Sequence, residues 1–159
     1  MDSSELPFLD MLLRLSAATG LGFLLGLERE LRGKPAGLRS HMLVSMGAAT
    51  FVMIGMHILY ATATGDPSAR IDPTRIVEGV IGGIGFLGAG CIIQARGNVQ
   101  GITTGASIWI AGALGATCGI GNLILAGLLA TFALLTIAVL GHFEREVLSA
   151  PSKKAASDD

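Results

Sequence analysis

The chain alternates long apolar stretches with short polar connections, and five of the stretches approach the length of a membrane helix. They cover residues about 8–27, 42–62, 76–95, 102–120 and 122–141. A hydrocarbon core of about 30 Å takes roughly 20 apolar residues per helix. The pattern therefore predicts an all-α membrane protein, with a compact bundle of five transmembrane helices in residues 1–141. The polar remainder, residues 142–159, is expected to form a short disordered tail.

Composition supports the same class of protein. The chain is 51% hydrophobic and only 14% charged, whereas a soluble domain carries about 25% charged residues. The net charge of −1 gives no overall field that would attract nucleic acid. Cys91 and Cys118 lie inside apolar stretches and the three histidines show no ligand spacing, so we expect neither a metal site nor a cofactor.

The basic residues are distributed unevenly over the connections, which predicts an orientation. With five spans, only Arg70 and Arg75 fall on one side of the membrane. The other side holds Arg29, Arg32, Lys34, Arg39, Arg96, Arg145, Lys153 and Lys154. The positive-inside rule then places the N-terminus outside and the C-terminal tail in the cytoplasm. A four-span alternative would move the tail to the other side and weaken the charge bias.

Glycine occurs 23 times, mostly within the spans. Small residues spaced four apart allow helices to approach closely in lipid, and the pairs are Gly22/Gly26, Gly79/Gly83, Gly101/Gly105 and Gly115/Gly119. Span 3 is so rich in glycine that we expect it to be enclosed at the centre of the bundle. The alternative is that its glycines give a flexible or locally broken helix. The helix-packing candidates are Gly82, Gly85, Gly88, Gly90 and Trp109.

A charged hinge, GLERELRGKPAGLRSH at residues 26–41, connects spans 1 and 2. Its mixed charges predict that helix 1 extends beyond the membrane with local ion pairs, until Pro35 breaks it. A competing interpretation is a docking surface for a cytoplasmic or membrane partner. The docking candidates are Glu28, Arg29, Glu30, Arg32, Lys34 and Arg39.

Polar residues inside spans are costly and therefore call for an explanation. The candidates are Asp10, Arg14, Glu78, Thr103, Thr104 and Ser107. Asp10 and Arg14 are spaced for an ion pair on one helix face, which either reaches outward to the interface or lines an outward-facing cavity. Glu78 either faces water at the outer interface or serves a function. The hydroxyls are expected to bond between helices. Because no catalytic arrangement is visible, we expect no enzyme activity.

Three blocks together resemble a known family. They are GLERELRGKPAGLRSH (26–41), RIVEGVIGGIGFLGAGCI (75–92) and VQGITTGASIWIAGALGATCGIG (99–121). In their order and wording they are similar to the MgtC/SapB family of bacterial inner-membrane proteins. By motif match, the resemblance carries over Glu28, Arg29, Arg39, Gly85, Gly88, Gly90, Thr103, Thr104 and Trp109. It further implies the shorter SapB-like form, without the soluble C-terminal domain of the founding type.

The resemblance implies a link to magnesium homeostasis and to adaptation to low magnesium or acid stress, in a family with members related to virulence. For the founding type it implies restraint of the F-type ATP synthase through its membrane sector. The leading hypothesis is thus a membrane protein that regulates a larger membrane complex. The alternative is a small magnesium or cation transporter or channel that works as an oligomer, with a dimer expected. A scaffold for membrane assembly is a third hypothesis.

Overall fold

The computed structural model describes residues 6–65, 72–95 and 98–141, and it confirms the all-α membrane class. The helices are α1 (Phe8–Leu31), α2 (Leu38–Gly65), α3 (Thr74–Gly90), α4 (Ile102–Ile120) and α5 (Leu123–Leu135), which continues as a π-helical segment, Thr136–Leu140. Within the described ranges α1, α2, α4 and α5 with its π-helical segment are long and apolar enough to cross a membrane. The 17 residues of α3 rise roughly 26 Å, which is less than the hydrocarbon thickness of about 30 Å.

The central helix of the single chain is α4, not the expected span 3. Ten of the 19 residues of α4 are buried, whereas Gly88 is the buried residue of α3. Helix α4 contacts α1, α2, α3 and α5. The expectation failed because glycine content permits close packing but does not select the neighbour. In α4, glycines alternate with alanines and small polar residues that fit against α2.

Glycines from two of the predicted pairs form close helix crossings. Gly115 and Gly119 of α4 lie against the backbone of α2 at Ser45 and Ala49, and a Cβ on Gly119 would lie 2.7 Å from Ala49 O. Gly22 of α1 likewise meets the start of α2, where an added Cβ would lie 2.8 Å from His41 O. Such approaches give van der Waals contact between helix backbones, which is the main attraction available to helices in lipid.

The helix does not continue to residue 95, the predicted end of span 3. Two short strands follow α3 instead. Helix α3 ends at Gly90, and β1 (Ile93–Ala95) pairs antiparallel with β2 (Asn98–Gln100). The register joins Ile93 to Gln100 and Ala95 to Asn98. The local sequence favours this outcome, because glycine and asparagine at positions 97 and 98 are residue types that favour turns, and β-branched Ile93 and Val99 suit strands.

The connection from α4 to α5 is a tight helical hairpin, with only Gly121 and Asn122 between the two helices. Gly121 has φ +94°, a conformation that favours glycine. Asn122 then begins α5, and its side-chain oxygen accepts a hydrogen bond from Leu125 N at 3.1 Å. This arrangement satisfies one of the free N–H groups at the start of the helix.

Helix α3 begins directly after Asp72 and Pro73. Asp72 Oδ1 accepts hydrogen bonds from Thr74 N at 2.9 Å and from Thr74 Oγ1 at 2.7 Å. These bonds hold the pKa of Asp72 below its ordinary value. The tail predicted at 142–159 lies outside the described residues. The orientation with the N-terminus outside stays a prediction.

Candidate functional site

The middle of the hinge is an ordered turn between the end of α1 and the start of α2. As predicted, the helix extends into the charged segment, and it ends at Leu31. Gly33 adopts φ +60° and its N–H donates to Glu30 O at 2.9 Å, while Lys34 N donates to Arg29 O at 3.0 Å. These bonds satisfy carbonyls at the end of α1. The chain then passes Pro35 and enters α2 at Leu38.

Glu30 connects the two helices on either side of this turn. Its Oε2 atom accepts a hydrogen bond from Leu38 N, the first residue of α2, at 3.1 Å. A carboxylate at a helix N-terminus also interacts favourably with the helix dipole. A Cβ on Gly37 would occupy the place of the Glu30 carboxylate, so glycine leaves room for this contact. Glu30 therefore positions α2 as well as carrying charge.

Arg29 is the largest fully buried side chain of the hinge, with 2% of its surface exposed. Its Nη1 atom lies 3.8 Å from Glu28 Oε2. Among the described residues, its Nε and Nη2 atoms have no hydrogen-bond partner. Glu28 also contacts Arg32, with 2.5 Å between Glu28 Oε1 and Arg32 Nε. One carboxylate thus faces two guanidinium groups, and much of the hydrogen-bonding capacity of Arg29 is left unused.

A cavity of about 370 Å³ lies beside these charges. It is bounded by the C-terminal end of α1, the N-terminal end of α4 and the π-helical segment after α5. Its polar lining consists of Arg29, Arg32, Lys34, Thr103 and Thr136. Arg32 Nη2 also donates to Ala138 O at 3.1 Å, which fixes the π-helical segment against the hinge. We call this cavity the basic pocket.

A buried polar chain connects α2 to α4 next to the hinge. His41 and Ser107 have 0% and 1% of their surfaces exposed. His41 Nδ1 lies 2.7 Å from Gly37 O and Nε2 lies 3.0 Å from Ser107 Oγ, which in turn lies 2.8 Å from Thr104 O. Because a carbonyl only accepts, Nδ1 carries the proton that it donates to Gly37 O. The Ser107 hydroxyl donates to Thr104 O, and its oxygen lies against His41 Nε2.

Asp10 and Arg14 form the predicted ion pair, with 2.7 Å between Asp10 Oδ2 and Arg14 Nη2. Arg14 also reaches across the bundle, where Nη1 donates to Gly119 O at 2.7 Å. Its guanidinium lies over Gly121, just beyond the last turn of α4. A cation at this position interacts favourably with the helix C-terminus. The pair therefore has a packing role that the spacing on α1 alone did not reveal.

The comparisons with known proteins agree with the three sequence blocks. A family profile described as the MgtC family matches residues 15–146. The chain belongs to the MgtC family. No solved structure matches it. The profile match covers the hinge, the basic pocket and all but the first turns of the bundle.

Relatives from this family differ in length from the chain. Protein SrpB of Synechococcus elongatus is 43% identical over 148 residues, which covers 87% of this chain and 77% of SrpB. Protein MgtC of Brucella abortus is 40% identical over 126 residues, 79% of this chain and 47% of that protein. The putative magnesium transporter YhiD of Escherichia coli K12 is 38% identical over 112 residues, 70% of this chain and 52% of YhiD. The match thus spans about half the length of the latter two relatives.

The family residues that the sequence singled out fall into different environments. Thr104 is buried within α4, while Thr103 lines the basic pocket and Arg39 is exposed at the start of α2. Trp109 has 45% of its surface exposed on α4. Glu78 is exposed near the start of α3, at the end of the bundle opposite the hinge. The structure therefore brings together Arg29, Arg32, Lys34 and Thr103 but leaves Glu78 distant from them.

The glycines expected to pack α3 behave differently from one another. Gly88 lies against Gly105 of α4, where an added Cβ would be 3.1 Å from Gly105 O. Gly82, Gly85 and Gly90 have open space at the position of a Cβ. In the described ranges no group of three or more His, Cys, Asp or Glu side chains is placed to hold a metal ion.

His41 is the buried polar residue whose partner the sequence could not identify. Its contact with Ser107 spans 66 positions of sequence. No local pattern reveals a partner at that distance. A weak signal was present, because a histidine directly after a basic cluster begins an otherwise apolar helix.

Proposed function

We propose that this protein is a non-enzymatic inner-membrane regulator linked to magnesium homeostasis and stress adaptation, which acts by docking against a larger membrane complex. Membership of the MgtC family and the name of the YhiD relative support the magnesium link. The resemblance of the hinge and glycine-rich blocks makes the membrane sector of the F-type ATP synthase the first candidate partner. The observation that carries the docking proposal is the open side of α3.

One side of α3 lacks neighbours among the residues that the structure describes. Gly79, Gly82, Gly83, Phe86 and Gly90 follow one another at helical spacing, and we call this surface the α3 face. None of the four glycines has a heavy atom within 4 Å of an added Cβ, and Phe86 has 81% of its surface exposed. An apolar cavity of about 720 Å³ continues beside it, between α2 and α3.

Such a surface suits another transmembrane helix better than it suits lipid. Glycines on one side of a helix let a second backbone approach closely. Each glycine also weakens an isolated helix by about 1 kcal/mol relative to alanine, so a bound helix would stabilise α3. The proposed occupant is a helix of the regulated complex, with Phe86 filling a gap between its side chains.

Replacing Gly82 with leucine tests the docking proposal. The new side chain enters open space in the single chain, so the protein should fold and reach the membrane. It should block close approach of a partner helix, and a deletion strain carrying this variant should grow poorly at low magnesium. The ATP synthase membrane sector should co-purify with the unchanged protein and not with G82L.

The matched control is Gly127→Leu on α5, where an added Cβ also meets nothing within 4 Å. This variant should keep both growth and co-purification. If G82L retains both as well, the α3 face is not the docking surface. Light scattering could show that the unchanged protein and G127L are dimers whereas G82L is a monomer. In that case the occupant of the α3 face is a second copy of the chain.

The name of the YhiD relative, a putative magnesium transporter, favours a second candidate, a small oligomeric magnesium or cation transporter. Glu78 would be its cation-attracting residue, because carboxylates attract cations at the entrance of a pathway. Magnesium flux into liposomes under an imposed membrane potential tests it. Uptake above empty liposomes that Glu78→Gln abolishes would replace the regulatory proposal with transport. Absence of flux in correctly inserted protein would support docking.

A further inference from the structure

We propose that the basic pocket binds a phosphate group at the hinge face of the membrane, either from an anionic lipid headgroup or from a free phosphate anion. This inference is independent of the docking proposal, because docking rests on the α3 face. The pocket is instead formed by the end of α1, the start of α4 and the π-helical segment. It rests on the side chains of the pocket and on the helix end that faces it.

The first observation is a surplus of positive charge. Arg29, Arg32 and Lys34 all line the pocket, and Glu28 is the carboxylate paired with two of them. Three cations and one carboxylate leave a net charge of about two positive units. Basic pockets between transmembrane helices on the cytoplasmic side of a membrane bind the phosphates of lipid headgroups. The charge distribution predicts that the hinge lies on that side.

The second observation is the unused hydrogen-bonding capacity of Arg29. The side chain is 98% buried and lines the pocket, but its Nε and Nη2 atoms have no partner in the described part of the chain. Leaving donors of a buried cation unpaired is costly. Nε and Nη2 form the edge of the guanidinium that binds two oxygens of one phosphate side by side. A phosphate in the pocket would satisfy both.

The third observation is the start of α4. The residue before the helix is Gly101, so no side chain caps the free N–H groups of its first turn. Thr103, in that turn, lines the pocket. A helix N-terminus carries partial positive charge and free N–H donors, both of which favour phosphate. The Thr103 hydroxyl adds a neutral donor at the edge of the cavity.

The dimensions and position also fit such a ligand. A volume of about 370 Å³ is within the usual range for ligand sites, roughly 300–1,000 Å³. The π-helical segment that forms one wall is of a kind frequently found at functional sites. The pocket lies where α1 and the π-helical segment end and α4 begins. The predicted spans place these helix ends at the membrane surface, where phosphate headgroups occur.

The test measures phosphate binding by the full chain purified in neutral detergent and in lipid nanodiscs. Inorganic phosphate is titrated in detergent, and the amount of retained phosphatidylglycerol is measured after extraction from nanodiscs that also contain phosphatidylcholine. Replacement of Arg29 with glutamine should weaken binding about tenfold, since it removes a charged hydrogen-bonding pair. Lys34→Gln should weaken it about fivefold, as expected for one lysine near a charged surface.

Arg39→Gln is the matched control, because Arg39 belongs to the same charged segment but is exposed and does not line the pocket. It should change binding less than twofold. Lys34 is exposed, so K34Q gives a reading even if the buried change in R29Q prevents folding.

The outcomes separate the two sources of phosphate. Saturable binding of inorganic phosphate that falls in K34Q but not in R39Q would identify a free phosphate site. Preferential retention of phosphatidylglycerol with the same variant pattern, and no binding of inorganic phosphate, would identify a lipid headgroup. Absence of both kinds of binding overturns the proposal. An equal loss in K34Q and R39Q also overturns it, because that pattern indicates general attraction to the surface.

Discussion

At the scale of single residues, buried polar side chains connect neighbouring helices near the hinge. His41 and Ser107 join α2 to α4 through a contact of 3.0 Å between Nε2 and Oγ. Both side chains are removed from solvent. A buried group that loses its partner is destabilised more than the intact bond contributes. The pair therefore offers a direct test of the packing between these helices.

Ser107→Ala should lower the free energy of unfolding by about 1–3 kcal/mol, because His41 Nε2 loses its partner in a buried site. The measurement is unfolding in mixed micelles, followed by circular dichroism as SDS is added. The control is Thr50→Ala on α2, whose hydroxyl is bonded to Met46 O of its own helix. It should change stability by less than about 0.5 kcal/mol. Equal effects of the two changes would contradict a special role for the His41 contact.

Arg29 shows the limit of a sequence-level interpretation of charge. In the sequence it is one of several hinge residues offered as a docking surface. In the structure it is buried, whereas Arg39 and Lys34 are exposed. Charge and position along the chain are local properties, but burial depends on which helices cover the residue. The hinge therefore combines an inward-facing part, Arg29, with outward-facing parts.

At the scale of elements, helix crossings depend on where glycines face other helices. Gly115 lies so close to Ser45 of α2 that no Cβ fits between the two backbones. Gly47, on α2 itself, has open space at the same position. The two glycines occupy neighbouring helices but have opposite surroundings, so the same substitution should have opposite effects on stability.

Gly115→Ala should destabilise the protein by at least about 1–3 kcal/mol, because α2 and α4 must move apart. Gly47→Ala should be neutral or stabilising by up to about 1 kcal/mol, since alanine is the better helix former. Thermal unfolding of the two purified variants in detergent measures both shifts. A Gly115→Ala protein with an unchanged melting temperature would contradict the close crossing of α2 and α4.

The strands after α3 show why the predicted end of span 3 was wrong. Apolar residues continue to Ile93, so a hydropathy window extends span 3 as far as residue 95. The structure ends α3 at Gly90 and places β1 and β2 before α4. The turn residues Gly97 and Asn98 were the available signal, but length and hydropathy outweighed them. Local turn chemistry was the better guide here.

At the scale of the whole molecule, the orientation in the membrane is a prediction with a direct test. Five spans place Lys34 in the cytoplasm and Arg75 outside, because basic residues accumulate on the cytoplasmic side. The test starts from a variant in which alanine replaces Cys91 and Cys118. A single cysteine is then introduced in place of Lys34, Arg75 or Lys153. A membrane-impermeant maleimide should label R75C in intact spheroplasts, and K34C and K153C only after permeabilisation. Labelling of K153C in intact spheroplasts would support four spans instead.

The sequence by itself determined the features that depend on local order along the chain. Apolar length and polar connections predicted the membrane class and the helix from Ile102 to Ile120. The i, i+4 spacing of Asp10 and Arg14 predicted their ion pair, and three blocks of residues indicated the MgtC family. These features follow from hydropathy, helical periodicity and turn chemistry, which each act over a few residues.

Only the tertiary structure decided the features that depend on contacts between distant segments. It placed α4 rather than α3 at the centre, left the α3 face open and buried Arg29 beside the start of α4. It also joined His41 to Ser107 and carried Arg14 to the end of α4. The physical reason is that small residues and charges permit many pairings in lipid, and the backbone approach between particular helices selects one of them.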